Sequence, residues 1–448
     1  MSCGTTRGAP YCRAMKRFLI VAGLLVCGVL GWARAPLLSE PDWQAISGVE
    51  QPPVVSARAA ILVDVASATI LYAKQPDLVI PPASLTKVVA IDTALAAVAR
   101  GELSLSERFV PPEPSWWTNQ PPRSSLMFLG PGQSVSLHDL LVGLAVPSGN
   151  DSAVAVAELV AGGVDGFADL MNARMRELGL IDPFFVEPSG YSDRNTITAR
   201  SFARFLLAHI ERFPDALRDY YSQRTFTYPT ADHVLRSGAA PVAGAGSASA
   251  TAALGVAPIT QSNRNSLLWI DPSVDGFKTG YIDASGYNLA ATASRTGRRL
   301  VAIVLGIDAP DAVTGTRIRT AEAAALLEYG FRAFESLSFG VPSPSPVRVY
   351  GGQTAWVEPS VATTIGISVP AGRLADLDGV TSQYTAVDAP IGRADVGSVS
   401  IALDGEVLGR AAITIPEQPH GRWWRRAIDA VARLYDRLIR RVEIMNGR

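Results

Sequence analysis

Cysteine is scarce in this chain, and the little there is lies near one end. Only three of the 448 residues are cysteine, and all lie among the first 27: Cys3, Cys12 and Cys27. The sequence beyond residue 27 can therefore form neither a disulfide nor a thiolate metal site, whatever compartment it occupies. The four histidines are scattered, and no two stand at metal-ligand spacing. We expect neither a metal ion nor any other cofactor.

The chain also lacks an excess of charge of either sign. It has 40 lysine and arginine residues against 41 aspartate and glutamate residues, a formal net charge of -1. Because there is no global basic field, nucleic acid is not an expected partner. No glycine-rich phosphate loop is present either. At 448 residues the chain exceeds one ordinary hydrophobic core, so two or three domains are expected.

The longest apolar run lies at the N-terminus. Lys16-Arg17 precedes apolar residues 18–32, and Ala33-Arg34-Ala35 follows as an A-x-A cleavage site. This order of basic, apolar and small residues is typical of a secretory signal peptide. We therefore predict that residues 1–35 are a signal peptide, or an N-terminal anchor, since Pro36 should hinder cleavage.

Changes of composition divide the rest of the chain. We predict a linker at 36–55, a main domain at 56–340 with a low-complexity insertion at 237–256, a small all-β domain at 347–416 and a basic amphipathic helix at 421–444. The insertion is rich in small residues that have little to bury and no periodicity. The all-β prediction rests on β-branched residues that alternate with turn signals.

Hydrophobic patterning predicts both strands and helices in the main domain. Short β-rich runs predict a hairpin at 59–65 and 69–73 and antiparallel neighbours at 287–293 and 300–306. The stretch 88–95 is apolar nearly all round, which predicts a helix buried inside the domain. Further helices are predicted at 153–160, 166–178 and about 316–336. The predicted fold class is therefore α/β in the broad sense (α+β).

Ser84 and Lys87 form the first candidate catalytic pair. Residues three apart on a helix share a face, so this hydroxyl and this amine can meet. A serine hydroxyl needs a base to take its proton, and a lysine can serve only if its pKa falls far below about 10.4. Burial, the helix dipole and the charge of Lys278 would all lower that pKa. The alternative is a helix-capping serine followed by a solvated lysine.

A second motif, Ser148-Gly149-Asn150, stands between the apolar run 140–146 and a predicted helix. Ser148 could relay a proton between the lysines and the leaving group, and Asn150 could hold a substrate amide. The alternative is an ordinary helix cap, since these residue types are common at such a junction.

A third motif, Lys278-Thr279-Gly280, leads into the predicted strand pair. Lys278 and Thr279 are a natural clamp for a carboxylate. Gly280 permits close backbone approach, as expected where a substrate lies along an edge strand. The main-chain N–H groups of Ser84 and Tyr281 would form an oxyanion hole. The alternative is a turn before a strand.

In this order the three motifs are the signature of penicillin-recognising acyl-transfer enzymes. The chain resembles the low-molecular-mass penicillin-binding proteins that are D-alanyl-D-alanine carboxypeptidases, in the serine β-lactamase and transpeptidase-like superfamily. The resemblance covers about 57–334 and continues more loosely to about 416. The segments that carry it are 82–87, 148–151, 187–190, 198–200, 263–268 and 275–280.

The resemblance implies a fold and a reaction. The fold is a transpeptidase-like catalytic domain, with an antiparallel sheet flanked by helices and a mostly helical subdomain, followed by the small all-β domain. The reaction removes the terminal D-alanine from peptidoglycan stem peptides that end in D-Ala-D-Ala, through an acyl-enzyme on Ser84 with Lys87 as general base. β-Lactam antibiotics would acylate Ser84 in the same way, and no metal is required.

The resemblance also implies one more substrate-binding residue. The family pattern places an arginine ahead of residues 326–331, and Arg319 fits that place. It would help to bind the substrate's terminal carboxylate, with Arg317 as the nearby competitor for the role. Two positions depart from the family pattern, Ile282 in place of threonine and Ser285 in place of alanine. Both follow the clamp, so they bear on substrate preference and not on acylation.

The tail predicts a helix with an apolar stripe and a basic surround. The stripe consists of Trp424, Ile428, Val431, Tyr435, Leu438 and Val442. The surround consists of Arg422, Arg425, Arg426, Arg433, Arg437, Arg440 and Arg441. Such a helix suits the surface of an anionic membrane but is not apolar enough to span it. The N-terminal signal segment predicts export, and the resemblance favours the membrane, since such carboxypeptidases often end in an amphipathic anchor. We therefore predict a peripheral protein on the periplasmic face of the cytoplasmic membrane. The alternative is a helix docked on the β domain.

Three other functions fit parts of the pattern. A β-lactamase shares the three motifs and needs a carboxylate for deacylation, and Glu187 lies in the right stretch. However, residues 187–190 resemble the corresponding segment of the carboxypeptidases, and β-lactamases lack the extra β domain. A DD-endopeptidase would use the same serine to cut peptide cross-links. A catalytically silent scaffold would only bind cell-wall peptides, and the intact Ser84, Lys87, Ser148 and Lys278 argue against it.

Overall fold

The computed structural model describes residues 34–234 and 257–445, with the stretch 436–445 as backbone only. Residues 1–33 of the predicted signal segment lie outside the described residues, and so does all of the predicted insertion at 237–256. The predictions for these two stretches therefore stay predictions.

Strands and helices are interspersed along the described chain. The strands are β1 (Ala59–Asp64), β2 (Thr69–Lys74), β3 (Arg108–Phe109), β4 (Val135–Ser136), β5 (Thr225–Tyr228), β6 (Ile259–Ser262), β7 (Val274–Ile282), β8 (Gly286–Arg295), β9 (Arg298–Ile307), β10 (Phe334–Gly340), β11 (Val347–Tyr350), β12 (Trp356–Val357), β13 (Thr364–Pro370), β14 (Asp378–Gln383), β15 (Ala386–Asp388), β16 (Ala394–Leu403) and β17 (Glu406–Ile415). The helices are α1 (Thr86–Ala99), α2 (Leu137–Ala145), α3 (Asn150–Ala161), α4 (Val164–Glu177), α5 (Ala199–Arg212), α6 (Leu267–Ile270), α7 (Ala312–Ala333) and α8 (Trp423–Met445).

The main sheet has five antiparallel strands in the order β2-β1-β9-β8-β7. The predicted hairpin is confirmed as β1–β2, and the predicted antiparallel neighbours are confirmed as β8–β9. Strand β7, which carries the third motif, lies at one edge of this sheet. The predicted α+β fold class is confirmed.

Helices cover both faces of the main sheet. Ile61 and Val63 of β1 join the apolar cluster formed with α1 to α5. Ala60 and Leu62 point the other way and join the cluster formed with α7. Successive side chains of a strand face opposite sides, so a strand covered on both sides must be apolar at nearly every position. Helix α1 is buried over residues 86–97, as its all-round apolar sequence predicts.

The predicted helix at 316–336 ends three residues earlier than expected. Helix α7 ends at Ala333, and Phe334 begins strand β10. Seven residues of β10 pair with β13, from Phe334 opposite Pro370 to Gly340 opposite Thr364. The partner strand lies about 30 residues further along the chain, so a local helical pattern could not reveal the change.

Strands β10 to β17 build a second, wholly β-rich region around its own apolar core. The region contains the pair β10-β13, the three-stranded sheet β12-β11-β15 and the three-stranded sheet β14-β16-β17. Its core includes Val347, Ile367, Leu403 and Ile413. Strands β11 to β17 fall within the stretch 347–416 that the sequence marks as all-β.

The segment predicted as a linker, residues 36–55, packs against both regions. The Trp43 indole donates to the main-chain oxygen of Ile70 in β2 at 2.8 Å, and its ring meets Phe334 edge-on with centroids 4.8 Å apart. Ile46 is buried in the core of the β-rich region. The Ser47 N–H donates to the Asp404 carboxylate at 3.1 Å. This segment therefore holds the two regions together as well as linking them in sequence.

Helix α8 docks on the β-rich region through a polar residue. The Asp429 carboxylate is buried and accepts from the Arg348 guanidinium at 3.0 Å and from the Gly351 N–H at 2.9 Å. The opposite side of the helix is exposed and apolar: Trp423, Ile428, Val431, Leu434 and Tyr435 are each more than half exposed. In the described part of the chain no helix has the length and apolar character that a membrane span requires.

Candidate active site

Ser84 and Lys87 meet at the start of α1. Pro81-Pro82 ends the preceding segment, and a 3₁₀ turn at Ala83–Leu85 leads directly into the helix. Lys87 lies in the first turn of α1 and its Nζ donates to the Ser84 Oγ at 3.1 Å. The structure therefore brings together the hydroxyl and the amine that the Ser-x-x-Lys spacing predicts to meet.

The Lys87 amine is fully buried and is surrounded by oxygen acceptors. Besides Ser84, it donates to the Asn150 Oδ1 at 2.7 Å and to the main-chain oxygen of Ser189 at 2.6 Å. Burial lowers its pKa to about 7, with Glu187 and Asp151 opposing the decrease and the Arg264 guanidinium adding to it. Near neutral pH a large fraction of this amine is uncharged, so it can accept the Ser84 proton.

Ser148 and Asn150 line the same site from the other side. Ser148 is buried in the short connection between α2 and α3 and has φ of +67°, a conformation uncommon for residues other than glycine. Asn150 begins α3, and its side chain accepts from Lys87 and donates to the Ser124 Oγ at 3.0 Å. Among the described residues, the three acceptors of the Lys87 amine do not include the Ser148 hydroxyl. The relay role of Ser148 stays a prediction.

Lys278, Thr279 and Gly280 form the edge of the main sheet beside the Ser84 turn. Lys278 is buried, and its Nζ donates to the main-chain oxygen of Thr279 at 3.1 Å. Burial, followed by the charges of Lys87, Arg264 and Arg319, holds the Lys278 pKa well below its ordinary value. This collection of cationic groups suits an anionic end of a substrate.

Gly280 allows β7 to lie directly against the 3₁₀ turn at Ala83–Leu85. A Cβ at this position would stand 2.7 Å from the Pro82 main-chain oxygen and 3.2 Å from the Ser84 nitrogen. Any other residue would push the strand away. The close approach puts the backbone of β7 beside the backbone of Ser84, as an oxyanion hole built from the N–H groups of Ser84 and Tyr281 requires.

Of the two arginines considered in α7, Arg319 reaches the site. Its Nη1 donates to the main-chain oxygen of Gly280 at 3.3 Å, and its guanidinium lies 5.7 Å from the centre of the Tyr287 ring. Burial lowers its pKa to about 10. Arg317, in contrast, is exposed on the outer side of the helix. The geometry therefore favours Arg319 over its competitor.

The sequence reasoning missed Arg264 and Asp151 as functional residues. Arg264 donates to the Pro147 main-chain oxygen at 3.1 Å, and its charge acts on Lys87, Lys278 and Arg319. The Asp151 carboxylate is buried and accepts from three consecutive N–H groups, those of residues 127–129. Both residues lie within the segments that carry the family resemblance, which was the available signal.

Glu187 shapes the loop that supplies an acceptor to Lys87. Its carboxylate accepts from the N–H groups of Ser189 at 2.6 Å and Ser192 at 3.2 Å, and from the Asn195 amide at 3.1 Å. The Ser189 hydroxyl donates to it as well. All of these hydrogen bonds come from residues of the loop that carries Glu187, so they occupy the carboxylate oxygens within that loop. This arrangement favours a positioning role over the deacylating role weighed for a β-lactamase.

We expect Gly190→Ala to damage the site through its backbone. Gly190 has φ of +76°, and a Cβ there would stand 1.8 Å from the Ala83 main-chain oxygen. The loop that carries Gly190 and the turn at Ala83–Leu85 would have to separate. We therefore expect at least a tenfold slower acylation and a loss of about 2–4 kcal/mol in the free energy of unfolding. Thermal unfolding and penicillin labelling would measure both.

Gly162→Ala is the matched control for that substitution. Gly162 has nearly the same φ, +72°, but a Cβ there would meet nothing within 4 Å. We expect a loss of only about 1 kcal/mol from the left-handed backbone and an unchanged acylation rate. Equal effects of the two substitutions would contradict the proposed crowding at Gly190.

Ser84 of the first motif and Asn150 of the second line an open cleft, together with Tyr281, which follows the third motif. Its volume is about 540 Å³. Its walls are Ser84, Pro122, Arg123, Ser124, Ser125, Asn150, Gly190, Tyr191, Ser192, Asp193, Tyr281, Ile282, Asp283 and Ala284. The cleft thus runs between edge strand β7 on one side and loops of the helical layer on the other. An extended peptide can lie along such an edge.

A buried chain of contacts connects helix α1 to strand β7. Asp92 of α1 accepts from the His209 Nδ1 at 2.9 Å and from the Arg174 Nε at 2.7 Å. The other His209 nitrogen contacts the Tyr221 hydroxyl at 3.1 Å, and the Tyr221 ring meets Phe277 with centroids 5.1 Å apart. Phe277 immediately precedes Lys278, so this chain connects the helix of Lys87 to the strand of Lys278.

Comparison with known proteins agrees with this geometry. The family model described as D-alanyl-D-alanine carboxypeptidase matches residues 47–309. The D-alanyl-D-alanine carboxypeptidase DacC of Escherichia coli (strain K12) is 30% identical over 416 residues, covering 89% of this chain and 94% of the relative. The resemblance predicted from the motifs is therefore confirmed.

Solved structures give the same likeness. Penicillin binding protein 5 from Haemophilus influenzae superposes with a TM-score of 0.68 at 30% identity, covering 83% of this chain and 100% of that one. Penicillin-binding protein D2 from Listeria monocytogenes, in a cefotaxime-bound form, superposes with a TM-score of 0.50 at 25% identity, covering 63% and 100% of the two chains.

Proposed function

The chain belongs to the D-alanyl-D-alanine carboxypeptidase family, and from this premise we propose that Ser84 cleaves the bond between the two terminal D-alanines of peptidoglycan stem peptides. The observation that carries this proposal is the contact between the Lys87 amine and the Ser84 hydroxyl, 3.1 Å long, beside the open cleft. A buried lysine with a pKa of about 7 can take a proton that an ordinary lysine would leave in place.

The acylation step follows from the positions of these groups. The Ser84 Oγ attacks the carbonyl of the penultimate D-alanine while its proton passes to the Lys87 Nζ. The N–H groups of Ser84 and Tyr281 receive the developing oxyanion. When the tetrahedral intermediate collapses, the C–N bond breaks and the leaving D-alanine amine takes up the proton that Lys87 had accepted, which leaves Lys87 neutral again. Ser148 is the proposed relay for this proton.

Deacylation completes the cycle. A water molecule gives a proton to the neutral Lys87 amine and attacks the Ser84 ester. The ester C–O bond breaks, and the proton returns to the Ser84 oxygen. The products are D-alanine and a peptide shortened by one residue. Because base and nucleophile already face each other, the same two residues can serve both halves of the reaction.

In this proposal the group of cations around Lys278 holds the substrate's terminal carboxylate. Lys278 and Thr279 reach it from β7, and Arg319 reaches it from α7. Arg264 adds charge from the helical side, since it already acts on both Lys278 and Arg319. A carboxylate bound there would form ion pairs with these buried cations, which otherwise repel one another. β-Lactams carry a carboxylate beside their reactive carbonyl and would acylate Ser84 in the same pose.

Release of D-alanine from a pentapeptide tests the proposed function. We expect mass spectrometry to show the tetrapeptide and free D-alanine, and preincubation with benzylpenicillin to stop the reaction. Cleavage only of cross-linked peptide dimers would indicate an endopeptidase instead. Rapid loss of the penicillin label would indicate a β-lactamase, and no reaction at all would indicate a scaffold.

We also propose that the protein acts at the outer, periplasmic surface of the cytoplasmic membrane, held there by α8. The helix is fixed to the β-rich region through Asp429, and its apolar side is left exposed. Arginines flank that side in the sequence. An exposed apolar stripe between cationic residues binds an anionic lipid surface without spanning it.

Co-sedimentation with anionic liposomes tests this anchor. Two chains would be compared, both without residues 1–33, one complete to its end and one ending at Pro416. We expect the longer chain to sediment with the liposomes and the shorter chain to stay in solution. We also expect Val431→Glu to weaken sedimentation at least fivefold. Val380→Glu, which changes an exposed valine of β14, is the matched control, and equal sedimentation of all chains would discard the anchor.

A further inference from the structure

Three buried polar side chains have no part in the proposed mechanism. Asp92 and Tyr221 are 0% exposed and His209 is 1% exposed. None of the three is among the residues that line the cleft. Asp92 belongs to α1, the helix of Lys87, whereas the Tyr221 ring contacts β7, the strand of Lys278. Burying a polar side chain is costly unless its hydrogen bonds are made, so these three side chains depend on one another.

The hydrogen bonds of this group fix where its protons lie. The Asp92 carboxylate is paired with the Arg174 guanidinium at 2.7 Å, so it is ionised and the His209 Nδ1, 2.9 Å away, donates to it. The other His209 nitrogen then accepts from the Tyr221 hydroxyl at 3.1 Å, as a neutral imidazole can. An imidazolium would donate through both nitrogens and would leave the Tyr221 hydrogen without an acceptor among the described residues.

The Tyr221 ring extends this chain of hydrogen bonds to β7. It meets the Phe277 ring at an angle of 71° with the centroids 5.1 Å apart, and the His209 ring lies 6.3 Å from the same ring. Phe277 is fully buried and immediately precedes Lys278. Because side chains in a close-packed core have little room to move, the position of the Tyr221 ring constrains the position of this part of β7.

Two asparagines attach the Tyr221 backbone to the same strand. The Asn263 side-chain amide donates to the Tyr221 main-chain oxygen at 3.2 Å, and the Asn263 Oδ1 accepts from the Asn265 N–H at 3.0 Å. The Asn265 amide in turn donates to the Gly276 main-chain oxygen at 3.1 Å. Tyr221 is therefore attached to β7 through its ring and through its backbone.

The proposed reaction needs β7 and α1 at a fixed spacing. The substrate's carboxylate binds to β7 through Lys278 and Thr279, while its carbonyl is attacked by Ser84 at the start of α1. A misplacement of about 1 Å between such groups can slow a reaction by about 10²-fold. Binding of the carboxylate is less sensitive, because the groups of β7 that bind it move together. A contact that only stabilised the fold would change the number of active molecules and not the rate at each site.

We propose that Tyr221 is a positioning residue for acylation: through His209 and Asp92 it holds β7 at the spacing from α1 that the attack by Ser84 requires. This inference rests on the proposed function, because acylation of Ser84 is the step that it affects. It assigns a role in the rate of the reaction to residues that lie outside the cleft.

Stopped-flow labelling with a fluorescent penicillin tests the inference, since it gives both the dissociation constant and the acylation rate constant. Tyr221→Phe keeps the ring and removes only the hydroxyl. We expect its acylation rate constant to fall about tenfold and its dissociation constant to change by no more than about twofold. Tyr329→Phe is the matched control, because the buried Tyr329 hydroxyl also makes a hydrogen bond of 3.1 Å, to the Glu50 main-chain oxygen. It should lower the melting temperature by a similar amount and leave the rate constant unchanged.

Two substitutions of His209 test the connection itself. Glutamine can donate to Asp92 and accept from Tyr221 as histidine does, whereas leucine can do neither. We expect His209→Gln to keep the rate constant within about threefold and His209→Leu to lower it about tenfold. Adding Tyr221→Phe to His209→Leu should cause no further loss, because both changes break the same connection.

The final extent of labelling counts the active sites in each preparation, so every rate constant refers to folded enzyme even where a variant folds poorly. The inference would be overturned by an unaltered rate constant in Tyr221→Phe or by an equal loss in Tyr329→Phe. Losses that multiply in the double variant, or a glutamine variant no faster than the leucine variant, would also overturn it. All of these results would leave the acylation of Ser84 intact, whereas absence of labelling in the unaltered chain would refute the inference and the proposed function together.

Discussion

Replacing Ser84 by alanine is expected to abolish covalent labelling by penicillin and to lower D-alanine release by at least about 10⁴-fold. In the proposed mechanism the Oγ forms the acyl bond, and no other hydroxyl is a hydrogen-bond partner of the Lys87 amine in the described part of the chain. The measurement is intact-mass spectrometry after incubation with benzylpenicillin, together with the rate of release from a pentapeptide.

Ser124→Ala is the matched control for that experiment. The Ser124 hydroxyl also lines the cleft, where it accepts from the Asn150 amide at 3.0 Å. Its loss should slow the reaction by no more than about tenfold, since it removes one neutral hydrogen bond. Labelling of Ser84→Ala with the same stoichiometry as the unaltered chain would place the nucleophile elsewhere.

Replacing Lys87 by methionine is expected to slow acylation by about 10³-fold or more while leaving the chain folded. General base catalysis accounts for about 10²–10⁴-fold, and Ser84 would lose its base entirely. Methionine is close to lysine in length and carries no charge to bury. Stopped-flow labelling would measure the rate, and thermal unfolding would measure stability.

The stability of this variant follows from two opposing effects. The Asn150 and Ser189 oxygens lose their donor, which costs about 1–3 kcal/mol for a buried polar group. Against this, Lys87 has a folded-state pKa of about 7, below its ordinary value. The unfolded chain therefore binds more protons between about pH 7 and 10.5, so the unaltered chain gains stability as pH rises through that window. Methionine removes this pH dependence.

Lys74→Met provides the comparison for the lysine change. The Lys74 amine donates to the Val55 main-chain oxygen at 2.7 Å, on strand β2 and away from the cleft. We expect its acylation rate to match that of the unaltered chain. A Lys87→Met variant that acylates at a comparable rate would show that another group takes the Ser84 proton.

Much of the site could be predicted because its side chains are set by short, local spacing. Ser84 and Lys87 are three residues apart at the start of a helix, and helical geometry alone brings them together. The strand pair β8–β9 likewise follows from two β-rich runs around a tight turn. In these cases the information is contained within a few neighbouring residues.

The remaining features depend on contacts between distant parts of the chain. The Ser189 main-chain oxygen that accepts from Lys87 is 102 residues away from it, and any residue type supplies such an oxygen. Arg264 acts through charge and burial, which no spacing rule reveals. The sequence reasoning named Lys278 as the charge that lowers the Lys87 pKa. The two lysine charges do act on each other, and the Lys278 pKa is the one that falls through this interaction. The Lys87 pKa falls through burial first and then through the charge of Arg264, which the sequence reasoning missed.

The central claim is that Ser84 is activated by a lysine that is partly neutral at physiological pH, and its most direct test is the pH dependence of acylation. The rate constant for labelling by a fluorescent penicillin would be measured from pH 5 to pH 10. The Lys87 pKa of about 7 predicts a rate that rises with pH, reaches half of its plateau near pH 7 and levels off above pH 8. A rate that stays flat across this range, or rises only near pH 10, would contradict the account.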